Sequence, residues 1–124
     1  MVIFMTYVQM KNILLMLENP ADKLDAVMDF GMQLQSVPAG ASCHEIMGCS
    51  SHVEICRVGN NFYGVADSGL VRGIVAILIA MVDGKTPDEI KKMDLLGEFS
   101  SLNLSLGAGR LSGLNSMISF LQNL

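Results

Sequence analysis

Apolar positions along this chain follow a helical period, then a strand period, then a helical one again. Ile13, Leu14, Leu15 and Leu17 give weight to a first helix ending near Asn19. Leu24, Val27, Met28, Gly31 and Leu34 then recur at helical spacing and mark one buried stripe. Asn19 suits the N-cap of that second helix, Pro20 its first position, and Asp22 the positive end of its dipole. Ser36-Val37-Pro38-Ala39-Gly40 ends it in a loop. The period then shortens to two. Ser42 to Met47 is a short strand, Gly48 to Ser51 a turn, and His52 to Val58 a second strand with Val53 and Ile55 on one face. Gly59-Asn60-Asn61 signals a tight hairpin, after which Phe62 to Ala66 returns as a third strand.

The helical period resumes at Leu70 and runs to about Val82, apolar nearly all round, as expected of a central buried helix. Asp67 and Ser68 stand where its cap belongs, and Asp83-Gly84 stops it. Thr86-Pro87-Asp88-Glu89 has capping-box spacing and starts a short helix. Leu95 to Leu106 reads as a connector with some helical character, and Gly107-Ala108-Gly109 as a break. Arg110 to Leu121 reads as a last amphipathic helix with Leu111, Leu114, Met117, Ile118 and Leu121 as its stripe. There is no internal repeat, low-complexity tract or linker. The expected architecture is one α+β domain over residues 1–124, a three-stranded antiparallel sheet with helices packed on one face.

Composition narrows the functions. A chain of 124 residues can bury a core without staples, and ten methionines with no tryptophan make that core aliphatic and adaptable. The net charge is -4 and no lysine or arginine cluster exists, so neither nucleic acid nor an anionic membrane surface is an expected partner. The most apolar stretch, Leu70 to Val82, is too short to span a bilayer and is interrupted by Arg72. The N-terminus lacks the basic region and cleavage site of a signal peptide, with Met5 and Met10 as alternative starts. The expected location is cytoplasmic.

Candidate chemistry concentrates in one region. Cys43, Cys49 and Cys56 are odd in number, and a reducing compartment disfavours a disulfide framework. On that reading Cys43 and Cys56 are ordinary strand residues. Cys49 differs: it sits in a polar turn, after a glycine that permits close backbone approach and before two hydroxyl donors, Ser50 and Ser51. The ordinary explanation of a cysteine is packing, which a polar turn disfavours. A Cys49–His52 hydrolase dyad lacks an Asn or Asp placed to orient the imidazole. Zinc usually takes cysteines in close pairs, whereas the gaps here are wider and alternation sends Cys43 and His44 to opposite faces. No metal or cofactor is expected. Asp67 is accounted for by capping. Arg110, a cation at a helix start, is mildly misplaced against the dipole and is free for a carboxylate, a thiolate or a partner.

Three segments, "MGCSSHV" (47–53), "FYGVADSGLVRGIVAILIAMVDGKTPDEI" (62–90) and "LGAGRLSGLNSMI" (106–118), in this order and spacing resemble the SufE family of sulfur-acceptor proteins, which includes CsdE. The family's active cysteine lies in a Gly-Cys-x-Ser motif, here Gly48-Cys49-Ser50-Ser51. The resemblance implies that Cys49 accepts a sulfur atom as a persulfide from a SufS-type cysteine desulfurase, stimulates that enzyme, and passes the sulfur to an iron–sulfur cluster scaffold. It places Asp67 and Arg110 beside the active loop or the desulfurase contact and matches Gly113-Leu114 to the family's Gly-Leu; no lysine context on this chain suggests bound pyridoxal phosphate. A homodimer is an assembly it admits. Gly107-Ala108-Gly109 stands where the family usually has Ser-Pro-Ser, and Ile55 where an aromatic is common. The competing class is an iron–sulfur or zinc-binding scaffold of the related U-type fold. A sulfur carrier benefits from a loop that shields its persulfide, and Ile46, Met47 and Val53 are the expected walls of that shelter.

Overall fold

The computed structural model describes residues 5–124, and the calls on residues 1–4 lie outside them. Helix α1 (Tyr7–Met16) begins at a reciprocal capping box, Thr6 with Gln9, and stops short of the expected Asn19. In α2 (Pro20–Gly31), the Asn19 side chain accepts from the N–H groups of Ala21 and Asp22. Strands β1 (Ser42–Glu45), β2 (Val53–Val58) and β3 (Asn61–Ala66) form the expected antiparallel meander in the order β1-β2-β3. Helix α3 (Gly69–Val82) follows, then α4 (Pro87–Lys91) at the Thr86–Glu89 capping box, α5 (Leu95–Ser100) and α6 (Ala108–Gln122).

The sheet presents Val53, Ile55, Phe62 and Ala66 to the helices, all buried. Gly64 lies on that face against Val75 and Ile79, so α3 sits directly on the strands where no side chain intervenes. Behind α3 lies α2. Gly31 and Gly73 meet at their crossing, where a Cβ on Gly73 would collide with the Val27 carbonyl. Ten of the fourteen α3 residues are buried, as expected of the central helix. Helix α6 closes the far side with Leu114, Met117, Ile118 and Leu121 buried.

Several expectations are corrected. Leu111 and Met28 are exposed rather than in their stripes. Helix α6 begins at Ala108, two residues before Arg110, because Gly107 at φ 81° takes the N-cap position. Asp67 does not cap α3: Ser68 holds the N-cap, without a side-chain cap bond. Cys43 and Cys56 are not independent strand residues. They face each other across β1 and β2 and are bridged, with Cα atoms 3.9 Å apart. The Ile46 N–H donates to the Val53 carbonyl at 2.9 Å. By ladder alternation, Cys43–Cys56 is therefore a non-hydrogen-bonded pair, the kind in which Cα atoms approach most closely.

Candidate functional site around Cys49

The connection from β1 to β2, residues 46–52, is pinned at both ends and free in the middle. Ile46 and Val53 are buried and hydrogen-bonded to each other. Gly48 turns the chain at φ +90°, and a Cβ there would lie 2.6 Å from the Ser116 hydroxyl of α6. Only glycine satisfies both the torsion and the close approach. The next residue, Cys49, leans on the same helix. Its Sγ lies 3.9 Å from the Gly113 carbonyl oxygen, a long thiol donor contact. A Cβ on Gly113 would stand 3.1 Å from that sulfur, so the missing side chain makes the seat.

The seat is a cleft lined by Ser50, Ser51, Val71, Ile74, Arg110 and Met117, with Gly109 and Gly113 at the helix. Its free volume is about 10 Å³, room for a single water at most. Of the expected walls, Ile46 and Val53 are buried beneath the loop, but Met47 points to solvent with 75% exposure. The apolar cover comes instead from α3 and α6. Nothing in the local sequence signals that, because it depends on how distant helices converge. Burial pushes the Cys49 thiol up from its ordinary pKa, so the seated sulfur is a protonated thiol at neutral pH. The Ser51 hydroxyl is buried in the same region and has no hydrogen-bond partner. A hydroxyl left unsatisfied in the wall of this cleft is a donor available to any negative charge that develops there.

Arg110 joins the site, lining the cleft while Nη1 donates to the Leu106 carbonyl at 3.3 Å. Asp67 does not line it. It is exposed, its backbone N–H donates to the His52 carbonyl at 3.3 Å, and it belongs to a neighbouring charged cluster. His52 is the centre of that cluster, with Nε2 2.8 Å from Glu54 and Nδ1 3.8 Å from Glu45. The hydrogen bond to Glu54, aided by the charges of Glu45 and Asp67, holds the imidazole above its ordinary pKa. His52 thus bridges two carboxylates that face each other across the strands, makes no hydrogen bond to the Cys49 sulfur and does not line its cleft. Among the described residues no three His, Cys, Asp or Glu side chains converge as metal ligands, and no helix is long and apolar enough to cross a membrane. Cys49 is the free cysteine.

A profile of the SufE family, described as an Fe-S metabolism associated domain, matches residues 9–124. The chain belongs to the SufE family. It is 34% identical over 105 residues to the sulfur acceptor protein CsdE of Escherichia coli, covering 77% of this chain and 71% of that protein. It is 32% identical over 109 residues to an uncharacterised SufE-like protein of Rhizobium meliloti, covering 78% of each. The solution structure of a hypothetical protein from Thermus thermophilus superposes with a TM-score of 0.69 over 96% of this chain and 94% of that one, at 16% identity. That likeness establishes the shared α+β fold.

Proposed function

We propose that this SufE-family chain is a sulfur acceptor and carrier, with Cys49 as the sulfur-bearing residue. The observation that carries the reading is the seat of Cys49: one free thiol on a glycine-hinged turn, held against Gly113 in a cleft with no spare room. The donor is a persulfide on a SufS-type cysteine desulfurase, and the recipient an iron–sulfur cluster scaffold in the cytoplasm. In the transfer step the Cys49 thiolate attacks the terminal sulfur of the donor persulfide. A new S–S bond forms on Cys49 while the donor's S–S bond breaks, and the donor cysteine departs as a thiolate and takes up the proton. The sulfur moves at constant oxidation state, so no external oxidant or reductant is consumed.

The cleft explains why the step waits for a partner. A buried, protonated thiol is a poor nucleophile, and the cleft cannot admit a second sulfur without movement of the loop. Lifting the Gly48–Ser51 turn off α6 hydrates the sulfur, lowers its pKa toward the ordinary value, and opens the line of attack. Acceptance by Cys49 then draws the donor's persulfide forward, which is how the chain stimulates the desulfurase. Ser51 and Arg110 act as supports for the negative sulfur, and exposed Asp67 as a partner contact. The test is intact mass after incubation with a desulfurase and cysteine. Wild type gains one sulfur and Cys49→Ser gains none; a gain that persists in Cys49→Ser overturns the assignment.

A further inference from the structure

Strand β1 is an exposed edge strand, paired on one side only. Its four residues are all exposed, and its pairing with β2 consists of Ser42–Arg57, Cys43–Cys56, His44–Ile55 and Glu45–Glu54. The last of these sets two carboxylates directly opposite each other, a destabilising arrangement offset by His52 between them. The His44 ring stacks on Phe120 of α6 at 4.7 Å. The remaining tie is the Cys43–Cys56 bridge, closing a loop with a sequence separation of 13 that contains Cys49. We propose that this bridge is a redox latch on the Cys49 turn: oxidised, it holds β1 down and keeps Cys49 seated against Gly113; reduced, it lets β1 and the turn lift and makes Cys49 reactive.

Three observations converge on this role. The bridge spans the two strands that carry the turn, so its state bears directly on the hinge of Cys49. Its two sulfurs are unequal in access, Cys43 being exposed and Cys56 0% exposed. Finally, Cys43 and Cys56 face away from the core, as alternation from the inward pair Ile46–Val53 requires. Cys49 packs toward α6, so the bridge does not compete for its sulfur in the seated state. A bridge of this kind in a reducing compartment is transient and redox-sensing.

The chemistry is ordinary exchange with a dithiol reductant. One thiolate of the reductant attacks the exposed Cys43 sulfur. A mixed disulfide forms there and Cys56 leaves as a thiolate that takes up a proton. The second thiol of the reductant attacks the mixed disulfide and releases the Cys43 thiol. The reductant is oxidised by two electrons and the bridge is reduced by two. Sulfur delivery would thereby be enabled when dithiol reductant is plentiful and withheld when it is not.

The inference rests on the reading of Cys49 as the reactive thiol, and its test is independent of sulfur transfer. The rate of Cys49 alkylation by iodoacetamide is followed by peptide mass spectrometry in oxidised protein and in protein pre-reduced by dithiothreitol and freed of it. Reduction should raise the rate roughly tenfold, the scale of a local opening. Cys43→Ser/Cys56→Ser should react at the fast rate with or without reduction. Equal rates in oxidised and reduced wild type, which differ by no substitution, overturn the latch. So does failure of Cys43 and Cys56 to pair under oxidised glutathione. Sulfur loading of Cys49 measured alongside separates the two ideas: loading in both redox states with unchanged alkylation would sink the latch and leave the carrier standing.

Discussion

The two hairpins of the sheet are built in opposite ways. Between β2 and β3 the turn is two residues, Gly59-Asn60, and several side-chain and backbone bonds tie it down. Arg57 donates to the Gly59 carbonyl at 2.7 Å and lies over the Phe62 ring. The Gly84 N–H reaches the Asn60 carbonyl, and the Asp83 carboxylate accepts from the Phe62 N–H at 2.9 Å. Between β1 and β2 the connection is longer, the outer strand is exposed throughout, and a buried serine hydroxyl goes unpaired. The tied hairpin holds the sheet on α3. The loose one carries the thiol. An exposed edge strand with few side-chain ties should open locally at lower cost than the tied hairpin.

This contrast can be broken in measurable ways. The largest effect should come from the staple on the loose hairpin. Under oxidising conditions Cys43→Ser/Cys56→Ser should lose roughly 2–4 kcal/mol in urea unfolding, the usual worth of a bridge closing a short loop, and reductant should bring wild type to the variant's midpoint. Next comes the hinge. Gly48→Ala forces a side chain into φ +90° and into the Ser116 hydroxyl. It should cost about 1–3 kcal/mol and speed Cys49 alkylation by displacing the turn from α6.

The tied hairpin should respond differently. Asp83→Ala leaves the Phe62 N–H without its partner and should cost about 1–2 kcal/mol while leaving Cys49 alkylation unchanged. A change in both would mean that the two hairpins open as one unit. The smallest effect is electrostatic. The folded pKa of His52 lies above its unfolded value, so its stabilisation is fully present below about pH 6.5 and is lost as pH rises through the folded pKa. The urea midpoint of His52→Gln should therefore fall below that of wild type in mild acid and coincide with it in mild alkali.

Much of this was legible from residues close together in sequence. The Gly59-Asn60 turn, the Asn19 and Thr86 caps and the apolar α3 all obey local rules, and all three strands appear within a residue or two of their expected bounds. Cys49 at the first turn was legible for the same reason. What escaped is non-local. The seat against Gly113 joins residues 64 apart in sequence, and no pattern near Cys49 announces it. The exposure of Met47 follows from Gly48 turning the chain immediately after it. The Cys43–Cys56 bridge was readable in principle, since counting outward from the Ile46–Val53 pair sets the two cysteines opposite each other. The expected reducing compartment favours two free thiols and so masks that register.

Gly48 also has a consequence for tolerance to substitution. Gly84 and Gly48 both sit at positive φ, +81° and +90°, but a Cβ at Gly84 would meet nothing within 4 Å. In a saturation library, position 84 should therefore admit asparagine, which tolerates the left-handed region. Position 48 should return glycine alone, because a second, steric barrier at Ser116 remains after the torsional one is met. Pairing the library with Ser116→Gly would separate the two barriers, since substitutions at 48 that reappear only in that background are limited by space rather than by torsion.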